Sequence, residues 1–136
     1  MGSAALAEIL GYDEAGSQTP VEIVERGLPY GTVERLAKTL ELTIEEFCLI
    51  IPVSRRTLAR YRDSVLDPHI SDHVLMVGQV FERATEVMES QANALIWMKT
   101  PNHSFRHKRP FDYLSSFAGA QEVLDELGRI QHGVFV

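Results

Sequence analysis

Two prolines, Pro101 and Pro110, restrict the second half of this chain more than any other residues. Pro101 biases Thr100 away from the α region, so a helical run from Ser90 stops near Lys99. Asn102 suits the turn that follows, because its side chain bonds nearby backbone and tolerates the left-handed region. Pro110 fits the first turn of a new helix, where its missing N–H costs nothing. The segment reads as helix, fixed corner, helix, with Trp97 and Phe111 flanking the corner. Both aromatics are expected in the core rather than at an interface.

The remaining punctuation is also helical. Ser3 to Leu10 reads as a short helix stopped by Gly11, and residues 11–18 as a loop or arm. Thr19-Pro20-Val21-Glu22 combines an N-cap, a proline at N1 and a capping box, and Gly27 ends that helix. A helix from about Thr32 to Leu40 carries Val33, Leu36, Ala37 and Leu40 on one face. Thr43-Ile44-Glu45-Glu46 repeats the capping box and opens a helix to Ile50. Pro52-Val53 turns, and Ser54 caps a helix from Arg55 to about Arg62. Asp67-Pro68 reads as a loop and a domain boundary, followed by a long helix from about Ser71 to Met88. Val74, Val77, Phe81, Ala84 and Met88 form its apolar face. A last helix from about Gly119 to His132 turns Val123, Leu127 and Ile130 inward, with Gly133 at C′. No segment alternates with period 2 for long, so the fold is expected to be all-α. The expected division is an N-terminal arm at 1–18, a helix-turn-helix domain at 19–67 and a second helical domain at 68–136.

Composition narrows the function. Apolar residues are 45% of the 136, enough for a core. No apolar run reaches the roughly 18 residues of a membrane span, and Met1 to Leu10 lacks the basic start of a secretory signal. The single Cys48 forbids an internal disulfide and fits a reducing, cytoplasmic setting. A formal charge of −6 argues against nonspecific nucleic-acid binding by the whole chain, but leaves room for a local basic face.

Residues 43–62 supply such a face, with the proportions of a helix-turn-helix. Ile44, Phe47 and Cys48 pack the first helix, Val53 fills the turn, and Leu58 with Tyr61 anchors the second. Ser54, Arg55, Arg56, Thr57 and Arg60 are the candidate DNA contacts, being side chains that reach phosphates and guanine edges. The competing reading is a helical packing unit with a solvated arginine face. One such helix binds weakly, so DNA recognition would require a dimer.

The second half carries a resemblance. Ala94-x-x-Trp97-Met98-x-x-Pro101-Asn102, then Arg109-Pro110-x-x-Tyr113-Leu114, then Gly119, Val123, Leu127, Ile130 and Gly133 resemble the toxin-binding domain of the Xre/MbcA/ParS antitoxin family. His107-Lys108-Arg109-Pro110 and Gly133-Val134-Phe135-Val136 most resemble its MbcA branch. The resemblance covers residues 71–136 well and residues 20–62 more loosely. Many members carry a Leu-Gly-Gly-like loop where this chain has Phe105-Arg106-His107, and Ser115-Ser116-Phe117 replaces a more polar stretch. The resemblance implies an antitoxin of a type II toxin–antitoxin pair, with no cofactor and no catalysis of its own. It implies a RES-domain toxin partner that consumes NAD, degrading it or ADP-ribosylating a host enzyme, and an antitoxin that obstructs the NAD pocket. It also implies autorepression by members with a competent helix-turn-helix, and homodimers within higher-order toxin complexes.

Two features of the residues fit a partner surface. Val134-Phe135-Val136 forms an apolar tip after His132 and Gly133; it either folds back on the core or inserts into a partner. Lys99, Arg106, Lys108 and Arg109 give the corner a positive rim that faces toxin carboxylates, DNA phosphate or solvent. With Asn102 and His107, these make the candidate toxin-binding set.

Other chemistry finds little support. His69/His73 and His103/His107 have zinc-like spacing, but the prolines disrupt both helices and no third ligand is near in sequence. There is no phosphate loop, nucleophile elbow or convincing carboxylate pair. The alternative to an antitoxin is a stand-alone helix-turn-helix regulator whose second half only dimerises.

Overall fold

The structure, a computed structural model, describes residues 19–133, so the expected helix and arm within 1–18 lie outside it. Seven α-helices and two 3-10 turns follow in order among these residues: α1 Pro20–Arg26, α2 Tyr30–Thr39, α3 Ile44–Ile50, α4 Arg55–Ala59, α5 Pro68–Met88, α6 Gln91–Lys99, turns His103–Phe105 and Pro110–Tyr113, and α7 Phe117–Gln131. No strand occurs among them; extended pairing is confined to isolated bridges at Pro29–Val65 and Asn102–Lys108. None of these helices is long and apolar enough to cross a membrane.

Both capping boxes form. Thr19 Oγ1 accepts from the Glu22 amide at 3.2 Å, and the Thr19 amide donates to Glu22 Oε1 at 2.7 Å. Thr43 and Glu46 repeat the exchange at 3.0 and 2.8 Å. Three helices begin earlier than their sequence suggests. α2 starts at Tyr30, after Pro29, because the Tyr30 amide is held by the Ser64 carbonyl and the ring is buried. α5 starts at Pro68: Asp67 is not a loop residue but the N-cap, its Oδ1 accepting from the Ile70 amide at 2.8 Å. α7 starts at Phe117, capped by Ser116. α4, in contrast, stops at Ala59 rather than Arg62. The amides of Arg60, Tyr61 and Arg62 tighten to carbonyls three residues back, as the chain turns to bring Leu66 onto the Leu28 carbonyl at 2.8 Å.

Helix α5 organises the core. Its buried residues include Ile70, Ser71, His73, Leu75, Gly78 and Val80 besides the expected Val74, Val77, Phe81 and Ala84. The buried arc is wide because α1 packs on this helix as well as α6 and α7. Ser71 is a polar rivet in that core: its hydroxyl accepts from the Leu28 amide (2.9 Å) and donates to the Leu66 carbonyl (3.3 Å). On α7, Val123 and Leu127 are buried as expected, whereas Ile130 is half-buried at the open end of the helix.

Gly27 is where the chain after α1 closes on the segment that leads into α5. Its φ is +90°, and a Cβ there would lie 2.5 Å from the Leu66 carbonyl oxygen. Left-handed backbone and a backbone clash act together. Gly27→Ala is expected to cost on the order of 2–4 kcal/mol, measured by urea unfolding.

Candidate functional site

The corner after α6 is a closed loop. Thr100 is extended ahead of Pro101, ending the helix at Lys99. Asn102 is extended rather than left-handed, and its Oδ1 accepts from the Ser104 amide at 2.9 Å. Its amide and carbonyl close the loop: Asn102 N–H donates to the Lys108 carbonyl, and His107 N–H to the Asn102 carbonyl, both at 3.0 Å. The left-handed positions fall instead on Arg106 (φ +55°) and His107 (φ +66°). These are the two positions where a glycine pair would sit without strain.

Phe105 is the reason the loop holds. It is 1% exposed, edge-on to Trp97 at 6.0 Å and to Tyr113 at 4.9 Å between ring centroids. A fully buried phenylalanine contributes roughly 1.5–3 kcal/mol, with more from such aromatic pairs. Phe111 is core, as expected; Trp97 is half-buried against the core. Phe117 stays 51% exposed, its ring 5.4 Å from that of His73.

The four cations of the rim divide into two kinds. Lys99 Nζ donates to the Glu41 carbonyl at 3.1 Å and lies 3.8 Å from its carboxylate, clasping the end of α2. Arg109 binds Asp112 through two side-chain bonds, 2.9 and 3.3 Å, while its amide also donates to Asp112 at 3.0 Å. These bonds hold the Asp112 carboxyl below its ordinary range and the Arg109 guanidinium above its own. Arg106 and Lys108 form no ion pair with a described residue. They are exposed and line a cleft of about 240 Å³ with Tyr113, Ser116, Gly119 and Glu122. Exposed His107 packs edge-on to His103 at 5.3 Å.

The sequence reading missed the far wall of this cleft. Ser116 Oγ caps α7 by accepting from the Gly119 amide at 3.0 Å. A Cβ on Gly119 would sit 2.0 Å from the Tyr113 carbonyl, so only glycine lets α7 approach the 3-10 turn. The serine N-cap ahead of an apolar run was the available signal. At the other end of α7, exposed His132 and Gly133 (φ +69°) terminate the helix. Val134, Phe135 and Val136 lie outside the described residues.

The helix-turn-helix candidates lie apart from the corner in sequence. Phe47 and Leu58 are fully buried, and Tyr61 donates its hydroxyl to Asp67 at 3.0 Å. Ser54 and Thr57 serve the helix itself: Ser54 Oγ accepts from the Thr57 amide and bonds its hydroxyl, both at 3.0 Å. Arg56 and Arg60 are exposed, and exposed Arg55 pairs with Glu45 at 3.3 Å. Burial pushes the Cys48 thiol up, which suits a packing role. Of the histidine pairs, His69 is exposed while His73 is buried with Nε2 2.7 Å from the Leu114 carbonyl oxygen. No three metal-ligating side chains converge among the described residues.

The comparisons with known proteins fall on both regions. Residues 83–133 match the antitoxin Xre/MbcA/ParS C-terminal toxin-binding domain, and residues 19–77 the antitoxin Xre-like helix-turn-helix domain. The mycobacterial cidal antitoxin MbcA of Mycobacterium tuberculosis is 31% identical over 109 residues, 78% of this chain and 90% of the relative. Antitoxin Xre of Yersinia enterocolitica is 25% identical over 134 residues, 96% of this chain and 90% of the relative. A chain of the crystal structure of the M. tuberculosis MbcT–MbcA toxin–antitoxin complex superposes with a TM-score of 0.58 at 28% identity, covering 79% of this chain and 96% of that one.

The Arg109–Asp112 clasp predicts a pH dependence. Asp112 is depressed in the folded state, so its contribution is present above its unfolded pKa of ~3.9 and is lost as pH falls through the lower folded value. Asp112→Asn is expected to be less stable than the parent at neutral pH, by well under the value of a buried pair because both side chains are over a third exposed. The two unfolding curves should converge in acid, as followed by circular dichroism.

Proposed function

From the premise that this chain belongs to the Xre/MbcA/ParS antitoxin family, we propose that it binds and neutralises a RES-domain, NAD-consuming toxin through its C-terminal half. The observation that carries the reading is the pre-formed corner at 102–108, which falls inside the matched toxin-binding domain and presents Arg106, His107 and Lys108 outward. A loop already closed by Phe105 loses little conformational freedom when a second protein covers it. The similar M. tuberculosis chain was solved in a toxin–antitoxin complex, which supports the kind of partner.

In this reading Lys99, Asn102 and Arg109 shape the loop, while Arg106, His107 and Lys108 meet the toxin. The segment His132-Gly133-Val134-Phe135-Val136 obstructs the NAD pocket. α7 ends with a glycine in the left-handed region at Gly133, which redirects the chain where that apolar tip begins. The chain itself makes and breaks no bond. The helix-turn-helix unit, 19–67, represses the operon as a homodimer, with Arg55, Arg56 and Arg60 on DNA and Ser54 and Thr57 presenting α4. The toxin-binding unit spans 68–136, and α5 is shared mechanically between the two.

Two measurements test this division. Deleting Val134 to Val136 is expected to abolish inhibition of NAD consumption by the toxin encoded beside this chain, with unfolding temperature and operator binding retained; full inhibition by the truncated protein would reject the plug. Arg55→Ala with Arg56→Ala is expected to abolish operator shift in gels at physiological salt and lower the log–log salt slope by about 2 per protomer. Loss of toxin neutralisation in that variant would refute the separation of roles.

A further inference from the structure

Arg106 and His107 are consecutive non-glycine residues in the left-handed region, at φ +55° and +66°. Glycine adopts that backbone freely, and larger side chains do so at a cost that surrounding structure must sustain. Here Phe105 and the Asn102–Lys108 closure sustain it. The cost has a visible product. The left-handed turn carries Arg106 against Tyr113, where Arg106 Nε donates to the Tyr113 hydroxyl at 3.1 Å. The guanidinium carbon lies 5.9 Å from the Tyr113 ring centroid. Tyr113 is only 9% exposed, so the anchor is fixed. One edge of the guanidinium is thereby held, and its terminal amines remain for a ligand.

Lys108 lines the same cleft. Of the acidic groups there, Asp112 is engaged by Arg109, which leaves Glu122. Glu122 acts on Arg106 through its charge without pairing with it, and two cations against this one carboxylate give the cleft a net positive charge. That balance suits a single carboxylate better than a phosphate chain, since the molecule as a whole carries −6. Lys99 and Arg109, by contrast, are already occupied within the chain.

We propose that Arg106, oriented by Tyr113 and assisted by Lys108, receives an aspartate or glutamate side chain of the toxin, making this loop a determinant of which toxin is recognised. Planar guanidinium and carboxylate match two-point hydrogen bonding, and such a pair sets partner choice and dissociation rate. The proposal rests on the toxin-binding reading above.

The test uses the full-length chain and the RES-domain protein encoded by the adjacent frame, titrated calorimetrically. Arg106→Gly removes the cation and suits the backbone, so it should keep or raise the unfolding temperature while weakening toxin binding roughly 10- to 100-fold. Arg106→Asn, uncharged and tolerant of the left-handed region, should weaken binding alike, and Arg106→Glu more. Added salt should weaken the parent more than Arg106→Gly. If the parent binds and Arg106→Gly binds equally, the clamp is overturned and the antitoxin reading stands. If the parent does not bind this toxin, both fall. If Arg106→Gly impairs only operator DNA binding, the cleft serves phosphate and the proposal is overturned.

Discussion

Helix α5 is enclosed from more than one side, and the positions of the other elements follow from that enclosure. Val74, Val77, Phe81 and Ala84 are buried along its length, and Ile70, Ser71 and Leu75 extend the buried arc towards its start. An element apolar over so wide an arc cannot be satisfied by one neighbour. The chain answers with α1 from the first half and with α6 and α7 from the second. Ser71, bonded to both Leu28 and Leu66, makes the junction specific as well as apolar.

The corner after α6 depends on the same logic at smaller scale. A loop of polar residues has little to hold it, so one aromatic side chain is turned inward. Phe105 supplies the burial, Trp97 and Tyr113 supply its walls, and the backbone closure between Asn102 and Lys108 supplies the register. Strain at Arg106 and His107 persists because those contacts over-determine the loop. Functional sites are where such strain concentrates, and the two residues concerned are exposed and polar.

The corner is also tied to the first half of the molecule. Lys99 clasps the end of α2 at Glu41, and the Arg109 guanidinium feels the Glu46 carboxylate at the start of α3. Both contacts are partly exposed and modest in energy. Their effect is positional: the corner loop and the helix-turn-helix sit on one connected framework rather than on a free linker.

Element types and most of their ends were legible in the order of residues alone, because these depend on local chemistry. Thr19-Pro20-x-Glu22, Thr43-x-x-Glu46, the Thr100-Pro101 stop and Gly133 act within a turn of where they stand, and each did what its side chain dictates. The motif around Trp97, Pro101 and Pro110 was legible too, since spacing survives without coordinates. The rest was decided by contacts between residues far apart. Asp67-Pro68 reads as a loop in the sequence alone; the bonds it takes from Tyr61 and the Ile70 amide make Asp67 the start of a helix. Four rim cations look alike in a sequence; Glu41 and Asp112 consume two of them and leave Arg106 and Lys108 outward. The glycine-like backbone at Arg106 and His107 goes with a Phe105 buried between Trp97 and Tyr113, and the far wall of the cleft goes with the close approach of Gly119 to the Tyr113 carbonyl. Burial and charge pairing are properties of the assembled chain, and no local pattern encodes which partner arrives first.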